Sequence, residues 1–543
     1  MRSDAFVNFD LNTNGTSAIL PPAENNNPSG PNSVPANEDA ELLWGTDLDF
    51  RLDPTIHITE SLRLHIESEL LDNVVFGSLS DQRLTGARGT PFRPDPSRTV
   101  FDSNQLPPRE REWFENSLRI NEAWGEVDTF LGEFRAGRMD NHWGLGMHAN
   151  DGDCLDCDFG DHVDRIRFLT KPFGFYASAA IDFPDQGPTS QAADRIDGQP
   201  YDLSQIDDSR QYTFSIFRKP RSDKDKKIQQ QRLKDEKAPV INGGARFTMR
   251  NQQGLSVPAS DPTQPSSLVY RGLSLYVPDI WAQFLYAPDP NTYVRVGVEG
   301  VGVFGDIDNV TTQPVGQPQD DEQPINCFDD AVRDSNPARC TQDSDGNPVD
   351  EGISEFGIAA ESELYLGGPV RFGLDGGYAS GGDTPNWGYP TASDNRAFHG
   401  LDFYRFDPNY HVDLILFREV IGTVTNAYYF KPWAQARFFE SPDQRMEVQL
   451  DAIASRVANT QGTPAANDDD GWLGLELDAA VRYLQIGTFH AGLEGGILFP
   501  FDALGAELGD DRLTRPGQTG GTFSQNADPD IAWTVQGNLI WQF

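Results

Sequence analysis

The sequence has no run of 18 or more apolar residues. A membrane-crossing helix needs about 20 of them, so that way of spanning a bilayer is excluded. Positive charge is in deficit, with 43 Lys and Arg against 83 Asp and Glu, a formal net charge of −40. Nucleic acid is thereby excluded as a partner, because its phosphates would be repelled. No G-x-S-x-G nucleophile motif occurs. Asp161 and His162 are adjacent on a strand and face opposite sides, so they make no acid–His pair. The expectation is a protein that is not an enzyme. No signal peptide is visible, since Met1, Arg2 and Ser3 lead straight into polar sequence. The chain reads as a mature form whose export is inferred from other features.

Cysteine is scarce. The four residues pair locally, Cys154 with Cys157 and Cys327 with Cys340, which suits two loop disulfides in an oxidising compartment. The rival for Cys154-x-x-Cys157 is a redox or zinc motif, with His142, His148 and His162 as further ligands.

What the chain has in abundance is alternation with period two. Ile531, Trp533, Val535, Gly537, Leu539, Trp541 and Phe543 share one side, and Thr534, Gln536, Asn538 and Gln542 the other. Such a segment is a strand with one apolar and one wet face. The pattern recurs around Leu48–Leu52, Leu62–Leu70, Val294–Val298, Val448–Ala454 and Leu473–Tyr483. In a soluble sandwich the apolar face would point inward, and alternation alone does not decide which way it points. Strand length does bear on it. A tilted membrane strand needs about 9–11 residues, against about 5–6 in soluble proteins, and many of these runs reach the longer value.

Connections alternate short and long, as in barrels with short periplasmic turns and long extracellular loops. The fold class expected is therefore all-β, a single transmembrane antiparallel β-barrel over 1–543. About 18 strands are predicted, with 16 or 20 as alternatives, at 2–12, 43–55, 60–77, 115–128, 131–146, 162–172, 173–183, 210–219, 239–252, 268–288, 292–306, 353–366, 370–381, 425–440, 444–459, 471–485, 488–501 and 530–543. Extracellular loops fall at about 13–42, 78–114, 147–161, 184–209, 307–352, 382–424 and 502–529. The span 268–288 contains Pro278 and divides into two strands as an alternative.

Two segments break the rhythm. The basic, Gln-rich run 218–237 falls where a short turn is expected. It reads as a solvated, partly disordered turn, or as a contact for an anionic periplasmic partner. Residues 411–421 (HVDLILFREVI) group their apolar residues as a helix does and predict a short helix at the barrel mouth.

The ending Val535, Leu539, Trp541, Phe543 resembles the C-terminal strand of Gram-negative outer-membrane proteins, which in that family is recognised by the barrel assembly machinery. The blocks FRLDPTIHITESLRLHIESELLDNVVFGS (from Phe50), FRAGRMDNHWGLGMHANDGDCLDCDFGDHVDRIRF (from Phe134) and FDPNYHVDLILFREVIG (from Phe406) resemble a large, uncharacterised porin-like family. The resemblance implies a barrel in the bacterial outer membrane and implies no substrate.

The polar strand positions are the candidate pore lining: Asp49, Arg51, Arg63, His65, Glu67, Glu69, Arg119, Arg295, Glu299, Glu447, Asp451, Glu476, Asp478 and Arg482. Facing rings of charge set selectivity, and the slight acid excess predicts weak cation preference. Asp151, Asp153, Asp156, Asp158 and Asp161 crowd one loop and suit Ca²⁺, which takes oxygen ligands; the alternative is an acidic loop with no fixed ion. Asp343, Asp345 and Asn347 have the spacing of the first half of a calcium loop, without the Glu expected at its end. Trp44, Trp113, Trp124, Trp143, Trp433, Trp472, Trp533 and Trp541 near strand ends predict aromatic girdles.

The function expected is passive diffusion of small hydrophilic solutes. Outer-membrane lipid and lipopolysaccharide are the expected surroundings, with a homo-oligomer or partner protein as a further possibility. The alternative is a surface-interaction or scaffold barrel whose acidic loops bind calcium or a partner protein.

Overall fold

The computed structural model of the chain describes residues 2–7, 42–77, 118–154, 157, 160–184, 209–257, 267–307, 351–382, 387, 403–441, 443–463, 471–504 and 529–543. Its strands are β1 (Arg2–Val7), β2 (Leu42–Leu52), β3 (Thr55–His57), β4 (Leu62–Gly77), β5 (Leu118–Thr129), β6 (Gly132–Asp140), β7 (His162–Thr170), β8 (Tyr176–Phe183), β9 (Arg210–Arg218) and β10 (Val240–Val257). The second half comprises β11 (Ser267–Asp289), β12 (Thr292–Ile307), β13 (Glu351–Tyr365), β14 (Val370–Ala379), β15 (Ala427–Phe438), β16 (Gln444–Val457), β17 (Trp472–Gln485), β18 (Phe489–Pro500) and β19 (Ala532–Trp541).

All pairings are antiparallel between sequence neighbours, and β1 closes the ring by pairing with β19 on one edge and β2 on the other. Both β2 and β3 pair with β4, separated by Asp53 and Pro54, so the short β3 continues β2 after a break. Proline supplies no N–H to a ladder, which accounts for the interruption. The nineteen stretches thus form an 18-stranded antiparallel sheet.

Closure decides the question the alternation leaves open. Along β19, Trp533, Val535, Leu539 and Trp541 are exposed on the outer surface, while Thr534, Gln536 and Asn538 are buried toward the interior. On β12, Val296 and Val298 point outward, and Glu299 between Val298 and Gly300 points inward with no exposed surface. The apolar phase is outside and the polar phase inside, the reverse of a soluble β-sandwich.

Several expected boundaries shift. The span 268–288, by contrast, is one strand as expected, of 23 residues, and the alternative division into two does not occur. Its pairing with β10 runs through Phe247↔Pro278, whereas toward β12 it passes from Tyr276↔Phe304 to Asp279↔Val301. The missing Pro278 N–H is thus absorbed as a local gap on one side. Strand β6 ends at Asp140, earlier than the expected 146. The chain then turns into the barrel, so residues 147–154 of the expected loop 147–161 do not form an outward loop, and neither do residues 403–424 of the expected loop 382–424. For β1, residues 8–12 lie outside the described residues. The basic run is not a disordered turn. It forms helix α1 (Asp223–Lys234), whose N-cap Ser222 accepts from the Asp225 N–H at 3.1 Å. Lys171 and Tyr176 donate to the Asp225 carboxylate at 3.1 and 2.8 Å. The Tyr176 bond, opposed by slight burial and aided by Lys171, holds that carboxyl down at about 2. The short-turn end also carries exposed tips, with Phe130 at 96 % and Phe439 at 84 % exposure.

The inverted alternation predicts asymmetric tolerance to charge. Leu477→Lys, on the outer face in mid-β17, is expected to cost about 2–4 kcal/mol of stability in a bilayer. Gln283→Lys, facing inward on β11, is expected to cost well under half of that. Urea unfolding in lipid vesicles, followed by tryptophan fluorescence, checks both. Equal costs would overturn the assignment of faces.

Candidate functional site

The described members of the candidate lining face the interior: Arg51, Arg63, His65, Glu67, Glu69, Arg295, Glu299, Glu447, Asp451, Glu476, Asp478 and Arg482. The side chains of Asp49 and Arg119 lie outside the described residues. Facing inward is not the same as meeting water, however. Glu69, Glu299 and Glu476 are at most 1 % exposed, because chain segments fold over them.

From β2 to β10 the wall is rich in arginine. Arg51 donates to Glu69 at 3.2 Å and to the carbonyls of Gly152 and Cys157, both at 3.3 Å. Arg63 bonds Glu126, and bonds Asp128 at 2.6 Å. Glu67 accepts from Asn121. His65 stacks on Trp124, whose ring also lies 4.4 Å from the Arg135 guanidinium. Arg165 forks onto Asp182 at 2.5 and 2.9 Å, and Gln211 and Thr213 donate to the same carboxylate. Asn141 Oδ1 accepts from both Arg165 and Arg246. Arg167, half-buried, lies beside these. From β11 to β18 the wall is richer in carboxylates. Arg295 pairs with Glu361 at 2.7 Å, Glu447 lies between Arg437 and Arg445, Gln449 donates to Asp451, and Arg482 pairs with Glu494 at 2.6 Å. Asp478 is buried beside Glu476.

Two segments enter the lumen from the long-loop end. The first, residues 141–154, lies against β12, where Glu299 accepts the backbone N–H groups of Leu145 and Met147. Gly144 sits at φ +63, and a Cβ there would come 2.4 Å from Glu299 Oε2, so glycine is required twice over. The second, residues 403–426, folds as a hairpin, with the Phe406 N–H on the Val424 carbonyl and an Arg405↔Thr425 bridge. At its centre is a buried π-helical turn, Leu416–Val420, in place of the helix expected at the mouth over 411–421. Asp413 accepts from the N–H groups of Phe417 and Arg418, which would otherwise be orphaned at the start of that turn. Glu476 accepts three backbone N–H groups, from Leu414, Ile415 and Leu416, at 3.0, 2.8 and 2.9 Å. The segments touch each other through Asp407 N–H on Met147 O at 2.7 Å and through Tyr404 with His148.

Apolar side chains of the second segment, among them Phe406, Leu414, Ile415 and Phe417, pack with Leu275, Val277, Val303, Ile453 and Leu473 of the wall. The lumen is thus filled along the β11–β19 arc. Between the first segment and β9 and β10 lies a small cleft lined by Asn141, His148, Ala149, Gln211, Arg246 and Thr248.

The metal expectation fares differently. Asp151 pairs with His142 at 3.3 Å, Asp153 approaches Arg51 at 3.9 Å, and Asp161 accepts from the Asn150 N–H. These three carboxylates go to separate partners, and among the described residues no group of three or more acids, Cys or His is placed to hold a metal. Asp156, Asp158, Asp343, Asp345, Asn347, Cys327 and Cys340 lie outside the described residues. Cys154 and Cys157 are joined as a disulfide. The zinc alternative fails on geometry too, since His142, His148 and His162 bond Asp151, Tyr404 and the Gly160 carbonyl respectively. Of the tryptophans, Trp472, Trp533 and Trp541 face outward. Trp124, Trp143 and Trp433 do not join a girdle, because they point into the barrel or sit on the inward segment. Trp44 and Trp113 lie outside the residues with described side chains.

No family model matches the chain, and no curated protein does. Among solved structures the chain is similar to Acinetobacter baumannii OccAB2 (TM-score 0.42, 9 % identity, covering 100 % of this chain and 96 % of that one). It is also similar to Pseudomonas aeruginosa OccK11 (0.40, 8 %, 99 % and 94 %) and to OmpT, an outer membrane protein of Vibrio cholerae (0.30, 7 %, 99 % and 94 %). At such scores the likeness carries nothing about solutes.

Sequence reasoning passed over Arg135, Arg165, Arg167, Arg246 and Arg250, although each lies on the polar phase of its strand. It expected a long loop to fold inward and narrow the pore but chose 307–352, most of which lies outside the described residues, and missed the two segments that do so. The available signal was Leu273, Leu275 and Val277 on the phase opposite Tyr276 and Ile280, since a barrel strand apolar on both faces must cover something inside.

Two outcomes follow. Asp182→Ala strands the buried Arg165 guanidinium and is expected to cost about 3–5 kcal/mol, read by urea unfolding in vesicles. The His142–Asp151 pair is expected to tighten 141–153 within a pH window. Burial lowers the affinity of His142 for its proton, but the Asp151 bond and charge outweigh it and raise the His142 pKa, while His142 lowers that of Asp151 against burial. The His contribution is full below about 6.5 and is lost as pH rises through its higher folded value. The Asp contribution is full above about 3.9 and is lost as pH falls through its lower folded value. Hydrogen exchange of 141–153, corrected for intrinsic rate, is therefore expected to be faster at pH 9 than at pH 5.5, and the difference to vanish in Asp151→Asn. A pH-independent wild type would contradict this.

Proposed function

We propose that the chain is a porin-like channel of a bacterial outer membrane, through which small hydrophilic solutes diffuse passively. The observation that carries this reading is the closed 18-stranded ring with its apolar phase outward and its charged phase inward. Such an outer band suits hydrocarbon, with lipopolysaccharide as the neighbour on the long-loop side, and exposed aromatics near the ring's edges suit a membrane interface. Rings of about 16–18 strands enclose an aqueous lumen, so a path beside the inward segments is compatible with the size.

The wall chemistry supports a polar cargo. Arginines from β6 to β10 face carboxylates from β11 to β18 across the interior, an arrangement that sets a transverse field. A solute with separated charge or a strong dipole aligns in such a field, while an apolar solute gains nothing. The eight acids against six basic residues of the lining predicted from the sequence favour cations weakly. Planar-bilayer recording of the purified protein tests the reading. Discrete conductance steps are expected, with a reversal potential of cation-favouring sign under a KCl gradient. An anion-favouring potential would reject the selectivity, and a protein that inserts but never conducts would reject the channel.

A further inference from the structure

We infer that Glu476 on β17 and Glu299 on β12 are positioning residues that hold the two inward segments against the wall and so set the open cross-section of the lumen. The inference deepens the channel reading and rests on it for one of its two measurements.

Backbone N–H groups in a buried segment need acceptors, and five of those in the inward segments find theirs on the wall. The N–H groups of Leu414, Ile415 and Leu416 point at one wall carboxylate, Glu476, two on Oε1 and one on Oε2. Those of Leu145 and Met147 point at Glu299. Neither glutamate has an ion-pair partner within 4.0 Å among the described residues; Glu476 spends both oxygens on the segment it faces, whereas Glu299 meets its segment through Oε2 alone. A carboxylate carries acceptors only, on both oxygens, whereas a glutamine amide offers one acceptor oxygen and an NH₂ that cannot accept. Glutamate at 476 is therefore matched to a cluster of donors in a way a wall charge needed only for the solute would not require, and Glu299 plays the lesser part with two donors on one oxygen. Because Asp407 and Tyr404 of the second segment bond Met147 and His148 of the first, the two attachments reinforce each other.

The full-length protein, purified in detergent and inserted into planar bilayers, is compared with Glu476→Gln, Glu299→Gln and the double variant. Folding is followed by the heat-dependent gel shift of the barrel. A second background, with residues 408–420 replaced by a Gly-Ser linker, provides a lumen already cleared of the segment. In the intact background Glu476→Gln is expected to raise conductance by about twofold or more, as the lumen approaches the open channel of a ring this size. In the cleared background it is expected to leave conductance unchanged or lower it, since only a wall charge is then lost. Changes of the same sign and size in both backgrounds would overturn the positioning role. Limited trypsin digestion gives a readout that needs no conduction. Cleavage after Arg405 and Arg418, slow in the wild type, is expected to accelerate in Glu476→Gln and in the double variant. Faster cleavage with every form electrically silent would sustain the positioning role and reject the channel. Unchanged cleavage together with unchanged conductance would overturn the inference.

Discussion

The closure of the backbone ladder is the constraint on which the rest of the molecule depends. A strand left at an edge exposes N–H and C=O groups that hydrocarbon cannot satisfy. Here β1 pairs with β19 and with β2, so the described strands form a ring with no free edge. Only after the backbone is satisfied in this way can the apolar phase of each strand turn outward. The interior then takes the opposite phase, and it is forced to be polar by the same alternation that makes the outside greasy.

A polar interior creates its own problem, since charges withdrawn from bulk water need partners. The wall answers it locally. Arg165 has Asp182, Arg295 has Glu361, and Glu447 has two arginines. Along the β11–β19 arc the answer is different, because the inner phase becomes apolar near the long-loop end and receives the hairpin 403–426. That hairpin brings buried backbone donors with it, and Glu476 and Asp413 accept them. The same element thus needs both an apolar surface to pack on and a wall carboxylate to bond to. Gly357 shows how close the fit is, as a Cβ there would fall 2.1 Å from the Tyr404 ring.

Legibility follows interaction range. The alternation of Trp533, Thr534, Val535 and Gln536 is local and was readable, as were strand length and the rhythm of short and long connections. The helix at 223–234 was hidden by its composition, because a Lys- and Gln-rich run with Ile228 and Leu233 as its only large apolar residues looks like solvent-exposed chain. Its anchors, Lys171 and Tyr176, come from another hairpin. The inward course of 141–154 was hidden for a similar reason. Its acidic residues suggested a metal, yet His142 and Arg51 are the partners that Asp151 and Asp153 meet.

By itself the sequence determined that the chain forms antiparallel strands of membrane-crossing length, about how many there are, and which residues share a face. Those properties come from period two and from turn chemistry, which act over a few neighbouring residues. Only the tertiary structure decided which face is outside, how arginines and carboxylates divide the wall, and that two loops fold inward onto Glu299 and Glu476. Those depend on closure of the ring and on contacts between residues more than a hundred positions apart in some cases, as between Leu145 and Glu299, and no local pattern encodes which distant residue will be met.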